Sequence, residues 1–85
     1  MVLTVSVISP ESMLFEGTTN EVVAPAFDGM VGILTGHAPM MTLLGKGTLR
    51  IGEGGDARRF EIEGGFMQVV DNQVRVVTER AKPAA

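Results

Sequence analysis

DGMVGILTGHAPMMTLLGKGTLRI, residues 28–51, sets the fold class of this chain. Gly29, Gly32, Gly36, Gly45 and Gly47 punctuate it at short intervals, and between them lie apolar runs too short for a useful helix. Asp28-Gly29 reads as a two-residue hairpin turn, because the turn that matches strand twist needs positive φ at its centre. Met30 to Leu34 then returns antiparallel. After the Gly36-His37-Ala38-Pro39 corner, Met40 to Leu44 is apolar enough to be read as buried. Thr48 to Glu53 alternates, with Leu49 and Ile51 inward and Arg50 outward.

Outward from that stretch the same period of two recurs. Leu3, Val5 and Val7 alternate with Thr4 and Ser6, which predicts a strand to about Ile8. Pro10 and Gly17 bracket a short strand, Met13 to Glu16, near an edge. A third runs from Asn20 to Pro25. Arg58 to Glu63 shows the clearest alternation, Phe60 and Ile62 opposing Arg59, Glu61 and Glu63. Gly64-Gly65 leads into Phe66 to Val70, Asp71-Asn72 supplies another two-residue turn, and Val74 to Thr78 closes the domain. About nine short strands, with no sustained 3.6 period, argue for an all-β sandwich or barrel, with the core between two packed, mostly antiparallel sheets. The domain is placed at residues 1–80, with a frayed tail at 81–85.

Composition narrows the function. The 85 residues hold seven basic and ten acidic side chains for a net charge of −3, with four Phe and no Tyr or Trp. That offers neither a basic footprint nor stacking platforms for nucleic acid. Without cysteine there is no disulfide framework and no thiolate chemistry. No apolar run approaches the roughly 18 residues needed to cross a bilayer as a helix.

Candidate chemistry is sparse. His37, the single histidine, is the residue type of general bases and metal ligands, but no second histidine or cysteine accompanies it, so it reads as structural or interfacial. Ser6, Ser9 and Ser12 lack the flanking glycines of a nucleophile elbow. Gly45-Lys46-Gly47-Thr48 lacks phosphate-loop spacing and reads as a tight turn. Glu61 and Glu63 beside Arg59 read as a solvated strand face. Met30 at a hairpin tip favours exposure, whereas Met40 reads equally as core or as interface. Exposed together with Pro39, they would form an apolar patch at one end of the sandwich.

The run EVVAPAFDGMVGILTGHAPMMTLLGKGTLRI, residues 21–51, resembles the epsilon subunit of the F-type ATP synthase, called delta in mitochondria. SPESMLFEG at residues 9–17, Glu63-Gly64-Gly65-Phe66 and the segment Val74 to Ala81 extend the likeness along nearly the whole chain. The resemblance implies a ten-stranded β-sandwich that does no chemistry itself and needs no cofactor. It implies a rotor subunit that links the gamma subunit to the c-subunit ring and supports coupling of proton flow to ATP synthesis. Its place would be the cytoplasmic face of the bacterial inner membrane, held there through partner subunits alone. Ser9, His37 and Thr42 match positions toward gamma, and the Asp28-Gly29-Met30 tip matches the loop facing the ring. The tip and the corner of Gly36, His37, Ala38, Pro39 and Met40 are expected to form one contact surface. Met30 stands where many members carry an acidic residue, which opens an apolar contact. Many relatives continue into a two-helix hairpin; a sequence stopping at Ala85 is expected to couple without that hairpin's block on ATP hydrolysis. Two rival readings are a free-standing adaptor that binds through the His37 end and a small enzyme pairing His37 with Glu21 or Asp28.

Overall fold

In the computed structural model, which describes residues 2–84, ten strands run in the order β1 (Leu3–Ile8), β2 (Met13–Thr19), β3 (Glu21–Ala26), β4 (Gly29–Leu34), β5 (Met40–Leu43), β6 (Lys46–Ile51), β7 (Arg58–Glu63), β8 (Phe66–Val70), β9 (Gln73–Val77) and β10 (Arg80–Pro83). They form two five-stranded sheets, β2-β1-β9-β8-β5 and β10-β7-β6-β3-β4. Every pairing is antiparallel except that of β1 with β9. The expected ten-stranded sandwich is what the chain forms.

Alternation explains the core. Leu3, Val5 and Val7 from β1 meet Leu49, Phe60 and Ile62 from the facing sheet's strands, and all six are buried. Full burial of such a side chain contributes about 1.5–3 kcal/mol. A one-residue slip in any of these strands would turn that set into solvent, so the same side chains also fix register.

Of the five crossings between sheets, two lie at neighbouring corners. Gly64-Gly65 carries the chain from β7 to β8, and Thr78-Glu79 carries it back from β9 to β10. Both glycines have positive φ, 73° and 101°. Thr78, a buried polar residue, donates its hydroxyl to the Arg80 carbonyl at 2.9 Å, with the Gly64 carbonyl also in reach at 3.1 Å. That one side chain ties the two corners together, as a buried hydroxyl requires.

Several expectations are corrected. Gly17 is not a turn; β2 runs through it to Thr19, and a Cβ there would press on the Phe15 ring at 3.1 Å. The hairpin turn lies one residue earlier than Asp28-Gly29: Ala26 pairs with Gly29, leaving Phe27-Asp28 as the loop. Met40 to Leu44 is not a wholly buried run, because β5 is an edge strand that shows Met41 and Leu43 to solvent. Ala81 to Pro83 are not a frayed tail but part of β10, paired with Ile62 to Phe60 of β7. Ala85 lies outside the described residues. The Asp71-Asn72 turn is as read, with φ of 49° and 62° between the paired Val70 and Gln73.

Candidate partner-binding surface

β4 and the segment that follows it position most of the candidate residues. The strand leaves the Phe27-Asp28 turn, and Met30 on it is 60% exposed. At its far end the His37 N–H donates to the Leu34 carbonyl (3.2 Å), and the Gly36 N–H donates to Asn72 Oδ1 (2.7 Å). Gly36 has a φ of 81°, which a glycine adopts freely. His37 Nδ1 lies 2.7 Å from the Ala38 carbonyl. A carbonyl only accepts, so Nδ1 carries the hydrogen and Nε2 is left for an outside group. Ala38 and Pro39 are exposed, while Met40 packs against the core.

The tip and the corner therefore do not share one end of the sandwich. They stand at opposite ends of β4, about 17 Å apart at the usual rise per residue. Met30 with Pro39 and Met40 is not one patch, because the strand separates them and Met40 faces inward. Ser9 sits at the tip end of the other sheet, where its hydroxyl and N–H close a small loop with the Ser12 carbonyl at 3.2 and 2.9 Å. Thr42 is half-buried in β5, its hydroxyl donating to the Leu43 carbonyl at 3.3 Å. Apart from Ser9, which follows β1 three strands away from β5, these places lie on β4, β5 and the segments that flank them.

The pairing suggested for an enzyme is not assembled. Glu21 accepts from the Arg50 guanidinium at 2.6 Å, and Asp28 lies at the end of β4 away from His37. Among the described residues no group of three or more His, Asp or Glu side chains could hold a metal ion.

One feature was missed by sequence reading. Register aligns Met13, Ile8, Val77, Phe66 and Leu43 in a single row across the outer face of the first sheet. The row continues to the hairpin tip, where the Phe27 N–H donates to the Leu43 carbonyl at 3.0 Å. Phe27 is 68% and Leu43 64% exposed. Met13, Leu43 and Phe27 are exposed while Ile8, Val77 and Phe66 are half-buried, so the row is an apolar strip partly open to water, a feature of protein contact surfaces. The signal was available in β5, where Met41 and Leu43 occupy positions that alternation would give to polar residues.

The model of the ATP synthase Delta/Epsilon chain, beta-sandwich domain, matches residues 2–84. The chain belongs to that family. It is 44% identical over 77 residues to the ATP synthase epsilon chain of Leptospira borgpetersenii, covering 91% of this chain and 61% of that one. With the epsilon chain of Prochloron didemni it shares 39% identity over 82 residues, 96% of this chain and 60% of the relative. This delta/epsilon-family sandwich thus spans about three fifths of the length of those relatives. A chain of the Euglena gracilis mitochondrial ATP synthase, in a cryo-EM structure of its OSCP/F1/c-ring, superposes with a TM-score of 0.87 at 25% identity, over 96% of this chain and 53% of that one. The Tetrahymena thermophila mitochondrial ATP synthase central stalk and c-ring structure shares the fold, with a TM-score of 0.76 at 19% identity over 94% and 65% of the two chains.

Proposed function

We propose that this chain is a non-catalytic rotor element of a proton-translocating F-type ATP synthase, joining the gamma subunit to the membrane c-subunit ring. The observation that carries the proposal is the family match along residues 2–84. The uncharged β4–β5 side and the apolar row support it, because a rotor part that must not slip needs a broad contact surface. Its place is the cytoplasmic face of the bacterial inner membrane, reached through its partners; no helix among the described residues is long and apolar enough to cross a bilayer. Ser9, the Asp28-Gly29-Met30 tip, the corner from Gly36 to Met40, and Thr42 are its proposed contact residues. Because the tip and the corner stand at opposite ends of β4, they would engage different parts of the stalk.

The test is functional. Membranes stripped of their own epsilon chain are the test system. Adding this chain is expected to raise ATP-driven proton pumping, read by a pH-sensitive dye, above the stripped level. Pumping that stays at the stripped level while the chain remains in the supernatant would overturn the proposal.

A further inference from the structure

Four strands bound the two sheets, and three of them are guarded. β10 presents Arg80, Lys82 and Pro83, and β2 carries Glu16; charge and proline on an edge discourage pairing with another chain. The edge of β5 is partly closed by the hairpin tip through the Phe27–Leu43 hydrogen bond. β4, GMVGIL, has neither charge nor proline.

Register shows which of its backbone groups are free. The Pro25 carbonyl accepts from the Gly45 N–H and the Glu21 carbonyl from the Gly52 N–H, both at 2.8 Å, so at those residues β3 turns its polar groups away from β4. Bonded and non-bonded pairs alternate along an antiparallel ladder. The residues opposite Pro25, Val23 and Glu21 are Met30, Gly32 and Leu34, and these three aim N–H and C=O at the open side. Of those groups only the Leu34 carbonyl finds a partner among the described residues, the His37 N–H.

Gly32, at the middle of the strip, has no explanation inside the chain. It is not a positive-φ glycine, and the β3–β4 register passes it without a bulge. A Cβ built there meets nothing within 4 Å. Glycine weakens a strand interior, and it recurs where another backbone approaches closely. The strip also joins the tip to the corner, the two places proposed to engage partners.

Building on the central-stalk reading, we infer that an extended segment of the gamma subunit adds to the free edge of β4 as a further strand of that sheet. The segment it fits is uncharged, about five residues long, bonded through its main chain past Gly32, with apolar side chains against Met30 and Leu34. A second copy of this chain would meet the same edge, and the test separates the two.

Hydrogen exchange on the wild-type chain reads the inference directly. In complex with purified gamma, the amides of Met30, Gly32 and Leu34 are expected to slow by at least about tenfold, while the chain alone at the same concentration leaves them fast. Gly32→Pro removes one of these N–H groups without breaking a β3–β4 hydrogen bond. It should keep the β circular dichroism spectrum and weaken the complex about tenfold or more. A complex that forms with those amides still fast, or that Gly32→Pro leaves unchanged, overturns the edge inference and spares the stalk reading. Slowing in the chain alone would assign the edge to a second copy and overturn the gamma assignment. Absence of any complex overturns the stalk reading and the inference with it.

Discussion

Gly65→Ala is expected to leave the chain largely unfolded at 25 °C. A Cβ at this position would lie 1.9 Å from the Val77 carbonyl oxygen and 2.7 Å from the Thr78 Cα. Both neighbours are backbone, so neither can swing aside as a side-chain tip would. The φ of 101° is itself a glycine conformation. Moving the corner outward would strain the hydrogen bond from Leu44 N–H to the Gly65 carbonyl, 2.9 Å, and part the two crossovers that Thr78 ties together. Overpacking costs about 1–3 kcal/mol, a forced backbone conformation another 1–3, and the strained bond about 1. Their sum rivals the whole stability of a domain this small, ~4–13 kcal/mol. Urea titration followed by circular dichroism checks it. Gly32→Ala is the control, with open space at its Cβ and no positive φ, and it is expected to unfold within about 1 kcal/mol of wild type.

Charging the apolar row should abolish assembly while sparing the fold. Phe27 and Leu43 are both exposed, so Phe27→Asp with Leu43→Asp should shift the stability of the free chain by about 0.5 kcal/mol per site or less. In a complex that covers them, each carboxylate would be desolvated without a partner. Such burial costs several kcal/mol, and 1.4 kcal/mol is a factor of ten, so binding to gamma and the ring should fall on the order of 100-fold or more. Titration calorimetry against the stalk measures it. Wild-type affinity in the double variant would mean that the row faces solvent in the assembled rotor. Met40 is a poor choice for such a test because it packs on the core.

Strands with one face buried and the other polar were legible in the sequence. β1 and β7 have the bounds their alternation predicts, since Leu3, Val5 and Val7 in one and Phe60 and Ile62 in the other alternate with polar residues until Ile8 and Arg58 at the strand ends. Asp71-Asn72 was legible because asparagine and aspartate tolerate positive φ at little cost. β5 was not, because Met41 and Leu43 make its outer face as apolar as its inner one and alternation disappears. β10 carries no apolar alternation either; pairing with β7 holds it, and pairing leaves no mark in a single strand's sequence. The proposed contact residues come one by one from the family likeness, and their separation along the fold was not legible in it. Only the register of β4 places the tip and the corner at opposite ends.

The central claim is that this sandwich is a fixed part of the stalk, and its direct test is native mass spectrometry of the chain mixed with purified gamma subunit. A one-to-one complex that survives dilution and takes up the c ring is the predicted result. A folded chain that stays free at every gamma concentration, with or without the ring, would contradict it and return the domain to the reading as a free-standing adaptor.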